Sequence, residues 1–116
     1  MEYTIEEKLS FATLYIRILP IGEDYQILAY GGDKPHIGCT VLAVPRPSLS
    51  GDGSVSVTSS VLNLVSHKDE AICRYLAETY AQKKNATVVC SGGFHVDHIT
   101  QENLSELMDV LHHICL

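Results

Sequence analysis

Apolar and polar positions alternate through the first half of the chain. Leu14, Ile16 and Ile18 alternate with Tyr15 and Arg17, the period of two that sets one face of a strand against a core. This predicts a strand over Phe11–Leu19. Gly22-Glu23-Asp24 is a turn signal, and Tyr25–Tyr30 reads as the return strand of a hairpin. Ile37–Val44 is a nearly continuous apolar run, as expected of a strand covered on both faces. Pro45 and Pro47 should stop it, because neither can donate to a ladder. Pro47–Gly53 reads as a surface loop. Ser54–Val65 then reads as a long strand whose apolar phase slips: Val55 and Val57 share one face, whereas Leu62 and Leu64 belong to the other. A bulge or break near Thr58-Ser59-Ser60 would account for the slip. Those three hydroxyl residues read as solvent-exposed, with lining of a ligand groove as the alternative.

The period then changes to 3.6. A helix is predicted over His67–Lys84, with Ser66 as N-cap and Asp69 completing a capping-box pattern. Its buried stripe would be Ile72, Tyr75, Leu76, Thr79 and Tyr80. Lys83 and Lys84 suit the C-terminal dipole, and Asn85 suits a left-handed exit. A second helix is predicted over 101–114. Thr100 would be its N-cap, Ile99 would staple onto Leu104, and Leu104, Leu107, Met108 and Leu111 would form its core face. Between the helices Thr87–Cys90 reads as a short buried strand. Short turns between the early strands favour antiparallel pairing, and the helices must cover one face of the sheet. The predicted fold class is α+β, a mainly antiparallel β-sheet covered by two helices, in a single domain spanning 1–116.

Composition narrows the functional classes. A chain of 116 residues, 46% hydrophobic and 19% charged, can bury a core without metal or disulfides. No apolar run reaches the roughly 18–20 residues of a membrane helix. The N-terminus is acidic, unlike a secretory signal, so a cytoplasmic location is expected. Cys39, Cys73, Cys90 and Cys115 form no C-x-x-C unit and read as reduced, mostly buried thiols. The net charge is −6 and the only adjacent basic pair is Lys83-Lys84, so neither nucleic acid nor membrane is an expected partner.

The candidate chemistry sits in two glycine-rich segments. The first is Gly31-Gly32-Asp33-Lys34-Pro35-His36-Ile37-Gly38. Its glycines allow close backbone approach, and it can aim backbone N–H groups, Lys34 and His36 at one anionic group. A tight inter-strand turn with exposed polar tips is the plain alternative. The spacing is not that of a phosphate-binding P-loop. The second is Gly92-Gly93-Phe94-His95-Val96-Asp97-His98-Ile99-Thr100, which runs into a helix N-terminus, where an anion is favoured. His95, Asp97 and His98 are suitable types for metal ligation or proton transfer. In an extended segment, however, His95 and Asp97 share a face and His98 points away, so a site made from this loop alone would be strained. His67, His112 and His113 read as structural. No closed tetrahedral spacing for zinc is present.

The strings G-G-D-K-P-H-I-G at 31–38, S-H-K-D-E at 66–70 and G-F-H-V-D-H-I-T at 93–100 resemble the LpdD-like prenylated-flavin chaperone family. The resemblance implies a fold similar to the proteasome-assembling chaperones and a homodimer formed through the sheet or helices. It also implies a non-catalytic role: holding prenylated FMN and assisting a UbiD-type aromatic acid decarboxylase. The positions it singles out are Gly31, Gly32, Asp33, Pro35, His36, Gly38, His95, Asp97 and Thr100. Lys34 and Phe94 join them as candidate cofactor-binding residues, Lys34 for the phosphate and Phe94, with Tyr30 or Ile37, for an apolar wall. A divalent ion bridging the flavin phosphate to His36, His95 or Asp97 stays open. Two other readings compete: a small metal-dependent or acid–base enzyme using His36, His95 and Asp97, and a structural assembly subunit without a small-molecule ligand.

Overall fold

The computed structural model of the protein describes residues 1–64 and 67–116. The proposed N-cap Ser66 and the Val65 end of the predicted strand lie outside the described residues, as does the side chain of His67. The elements in chain order are β1 (Tyr3–Lys8), β2 (Thr13–Ile21), β3 (Asp24–Gly32), β4 (Cys39–Pro47), β5 (Val55–Asn63), α1 (His67–Lys84), β6 (Val88–His95) and α2 (Gln101–His113). They build one six-stranded sheet in the order β1-β2-β3-β6-β4-β5. All pairs are antiparallel except β3 with β6. The sheet is therefore mainly antiparallel and carries two helices, as the patterning predicts.

The period-two reading of β2 holds residue by residue. Leu14, Ile16 and Ile18 are fully buried, and they form one core with Ile27 and Ala29 of β3, Val88, Cys90 and Phe94 of β6, and Cys39, Val41 and Ala43 of β4. Burial of each large aliphatic side chain contributes roughly 1.5–3 kcal/mol. Helix α1 lies over β4, β6 and β5. Its buried residues are Asp69, Ile72, Cys73, Leu76, Ala77, Tyr80 and Ala81. The small Cys73, Ala77 and Ala81 replace the predicted Tyr75 and Thr79 at the centre of the stripe and let the helix sit close to the sheet. The helix leaves through Asn85 at φ 51°, the left-handed conformation expected there. Helix α2 buries Leu107 and Leu111 and is tied to the β1–β2 connection by Glu106, which accepts from Ser10 N at 2.7 Å and from Ser10 Oγ.

Four expectations are corrected. Strand β1 adds an edge the alternation did not call for; Ile5 pairs with Ile16 and packs on the core. Strand β4 is not stopped at Pro45 and Pro47, which pair with Val57 and Val55 of β5. The ladder to β6 ends at Ala43, so beyond it β4 has a neighbour on one side only, where a missing N–H is tolerated. Strand β4 is also covered on one face alone, since Leu42 and Val44 are exposed. Finally, β5 has no bulge. Its register with β4 runs unbroken from Cys39↔Asn63 to Pro47↔Val55. The slip in the sequence pattern arises because Leu62 and Leu64 are exposed, while Ser59, on the covered side with Val57 and Val61, donates to Glu78 of α1.

Candidate functional site

Both glycine segments begin inside the sheet. Gly31 and Gly32 end β3, and β6 continues through Gly92, Gly93 and Phe94 to His95, well past the predicted strand end at Cys90. The parallel β3–β6 ladder pairs Gly31 with Phe94 and Gly32 with His95, so the two segments are neighbours. The connection 33–38 is then clipped to β6 at both ends. His95 O accepts from Asp33 N at 2.7 Å and from Lys34 N at 3.3 Å, and Gly92 O accepts from Gly38 N at 2.9 Å. These three N–H groups are used within the fold, so they form no anion nest of the kind anticipated from the loop's composition.

His36 stands over this junction. Its Nδ1 lies 3.0 Å from Lys34 O and its Nε2 lies 3.0 Å from Asp69 Oδ2. Asp69 is in the first turn of α1, is 1% exposed, and accepts from Phe94 N at 3.0 Å through its other oxygen. A carboxylate in this turn is favoured by the helix dipole. The atoms facing the two ring nitrogens are a carbonyl oxygen and a carboxylate oxygen, both of them acceptors. Both ring nitrogens are thus engaged, and His36 presents its ring face rather than a lone pair. Space for this arrangement comes from glycine. A Cβ on Gly93 would lie 2.7 Å from the His36 ring, and one on Gly38 would overlap Asp69 Oδ2.

His95 faces His36 edge-on, with ring centroids 6.4 Å apart. Its Nε2 lies 2.9 Å from Asp97 Oδ1, and Lys34 Nζ lies 3.7 Å from the same oxygen. The hydrogen bond from His95, and then the Lys34 ammonium, hold the Asp97 carboxyl below its ordinary value. Asp97 therefore orients His95 and Lys34. Among the described residues, no group of three or more His, Cys, Asp or Glu side chains is arranged to hold a metal ion.

Two shallow recesses meet at His36. One, about 300 Å³, is lined by Lys34, His36 and His95. The other, about 240 Å³, is nearly all apolar and is lined by Leu28, Tyr30, Pro35, His36, Ile37, Ser91 and Gly92. Tyr30 is braced by a stack on Tyr15, with centroids 5.5 Å apart. Each recess is at or below the low end of a closed small-molecule pocket, about 300 Å³. A larger recess of about 500 Å³ lies around Pro45, Pro47, Gly51 and Asn85, but Arg46 is the only ionisable residue on its wall.

Other candidates are placed elsewhere. The Phe94 ring is 1% exposed and packs edge-on against Phe11 in the core, so Tyr30 and Ile37, not Phe94, supply apolar wall. Thr100 caps α2: its hydroxyl accepts from Asn103 N at 3.0 Å, while Asn103 Oδ1 accepts from Thr100 N at 3.1 Å. This capping box occupies two donors of the helix terminus, and Glu102 sits in the first turn, so that end is a poor anion site. The side chains of Asp33 and His98 are exposed, and His98 takes φ 58°, a turn conformation in which His is tolerated. Asp69 was absent from the residues singled out by chemistry; its only sequence signals were the string S-H-K-D-E and its spacing from Ser66.

The chain is similar to a solved structure titled "Crystal Structure of a Novel Chaperone Complex for Yeast 20S Proteasome Assembly", with a TM-score of 0.56 and 16% sequence identity over 96% of this chain and 90% of that chain. At that identity the likeness establishes the fold alone. The chain belongs to the prenylated flavin chaperone LpdD-like domain family, which its residues 10–116 match. No curated protein matches it by sequence.

Proposed function

We propose that this protein is a non-catalytic carrier of prenylated FMN that assists a UbiD-type aromatic acid decarboxylase. The observation that carries the reading is the junction at His36, where a recess lined by Lys34 and His95 meets an apolar recess lined by Leu28, Tyr30, Pro35 and Ile37. A flavin mononucleotide has a phosphate and a broad apolar ring, and these two walls suit its two ends. Lys34 and His95 would hold the phosphate; Tyr30, Ile37 and the His36 ring face would meet the flavin ring. Phe94 and Thr100 would act only through the fold, as core residue and helix cap. The group's own chemistry is that of the decarboxylase's cofactor; this chain's residues bind and shield it.

The shallow walls favour a homodimer. Leu42, Val44 and Leu62 are exposed on the face of the sheet that lacks core helices. A second copy on that face would add the wall that the apolar recess lacks. Among the described residues no helix is long and apolar enough to cross a membrane. The four free cysteines are compatible with the cytoplasm, where thiols stay reduced.

The enzyme reading has less support. Using His36 as a base or metal ligand would break its contact with Asp69 or Lys34, and Asp97 is engaged by His95 and Lys34.

The test is co-expression with a flavin prenyltransferase, followed by visible absorption and light scattering of the purified protein. The expected result is a coloured dimer whose colour is lost in Lys34→Ala and His95→Ala variants of unchanged fold. A folded but colourless wild type would overturn the reading.

A further inference from the structure

The sheet has two edges, and they are built differently. Strand β1 carries Glu6, Glu7 and Lys8, charges that discourage pairing with another chain. Strand β5, at the other edge, runs for nine residues, Val-Ser-Val-Thr-Ser-Ser-Val-Leu-Asn, with no charge and no proline. Its unbroken register with β4 shows no bulge to twist it away. In an antiparallel edge strand every second residue aims its N–H and C=O outward. Among the described residues the only partner recorded for such a group on β5 is the Gln82 side chain, which donates to Val55 O at 2.9 Å.

Beside this edge a polar cleft of about 370 Å³ is lined by Arg46, Ser56, Val57, Glu78, Thr79 and Gln82. One Glu78 carboxylate oxygen accepts from Ser59, and the other has no partner among the described residues. Gln82 donates an amide N–H to Val55 O, and its carbonyl oxygen has no partner among the described residues. The cleft therefore offers an anionic acceptor and an amide carbonyl beside the Ser56 and Thr79 hydroxyls. Arg46 is on the same wall but makes no ion pair with Glu78 among the described residues; its guanidinium is turned to Thr58 Oγ1 at 2.9 Å and Pro47 O at 3.4 Å. The complement of such a cleft is a donor-only cation, a Lys or Arg side chain.

We infer that the β5 edge and the Glu78–Gln82 cleft bind an extended, basic segment of a partner protein by strand addition. Backbone bonds along β5 would supply affinity, and the cleft would select a Lys or Arg at one alternate position. A second copy of this chain is a poorer occupant. Two-fold pairing about Ser59 would bring the two Glu78 side chains together, like charge against like. The inference does not depend on the flavin reading, because it uses the opposite flank of α1 and the far edge of the sheet.

The probes are two short synthetic peptides of alternating Thr and Val, one with a central Lys and one with a central Glu, titrated into ¹⁵N-labelled protein. The Lys peptide is expected to shift the amide signals of Ser56–Leu62 and slow their hydrogen exchange, leaving Lys34–Gly38 unmoved. Glu78→Gln should weaken it about tenfold, the usual effect of losing a charged hydrogen bond. Equal binding of the two peptides, an unaffected E78Q variant, or no change along β5 would overturn the inference. So would protection of β5 that rises with protein concentration without peptide, which would assign the edge to self-association.

Discussion

Nε2 of His36 lies 3.0 Å from Oδ2 of Asp69, joining the 33–38 connection to the first turn of α1 across 33 positions of sequence. The carboxylate has no exposed side-chain surface, whereas the imidazole is 39% exposed. The pair therefore fixes a half-open ring on a closed foundation. Removing the ring leaves the buried Asp69 carboxyl with Phe94 N–H as its partner, so His36→Ala should cost about 1–3 kcal/mol in urea unfolding. Asp69→Asn keeps an acceptor for Phe94 N–H and should cost less. The double variant should show a coupling of at least about 1 kcal/mol; strict additivity would mean the contact is not formed in solution.

Gly93 is the second control on His36. A Cβ there would lie 2.7 Å from the imidazole and 2.8 Å from His36 O. Gly93→Ala should therefore destabilise the protein by about 1–3 kcal/mol, as overpacking does. It should also displace the His36 ring signals in an NMR spectrum while leaving those of His112 and His113 in place. Wild-type stability with an unmoved His36 would contradict the packing described.

The thiols should divide into one reactive and three protected groups. Cys115 is exposed, and Cys39, Cys73 and Cys90 are buried. Burial, and then the neighbouring Cys73, push the Cys39 thiol up to about 11, and burial raises Cys90 well above its ordinary value. At mildly alkaline pH a disulfide reagent should titrate a single thiol quickly and the other three only on unfolding. A second fast thiol in the native protein would refute the burial pattern.

Asp97 gives a pH-dependent prediction. Its folded value lies below the ordinary 3.8, first through the hydrogen bond from His95 and then through Lys34. A depressed carboxyl contributes stability above its unfolded value and loses it as pH falls through the folded one. The Lys34–Asp97–His95 contact should hold at neutral pH and release only in acid. The ¹³C midpoint of the Asp97 carboxyl should lie below 3.8 in the wild type and rise in His95→Ala. Identical midpoints would remove Asp97 as the group that orients His95.

Much of this was legible in the chain. Both bounds of α1 followed from period and charge, and the Thr100 cap from residue type. The length of β6 did not, because Gly92 and Gly93 read as loop until a parallel neighbour, β3, is known to pair with them. Strand β4 crosses Pro45 and Pro47 for a reason that lies in its neighbours: β6 no longer flanks it there. The slip at Thr58-Ser59-Ser60 was read as backbone irregularity because exposed Leu62 and Leu64 were assumed to be buried. The two glycine segments lie side by side, but the sequence could not show that N–H groups of the first serve β6. Nor could it show that a helix residue, Asp69, anchors the histidine, since that contact depends on how α1 lies on the sheet.

The central place of β6 also sets the order in which the molecule can be finished. It alone joins the β1-β2-β3 half of the sheet to the β4-β5 half. On the ribosome, residues are added at about 5–20 per second. The β2–β3 and β4–β5 hairpins can form as soon as they emerge, but β3 and β4 each keep a bare inner edge until residues 88–95 have been made. During those seconds the nascent chain exposes two unpaired ladder edges. The interval most exposed to aggregation is therefore the one before β6 emerges, and the sheet closes only when that strand enters between its two partners.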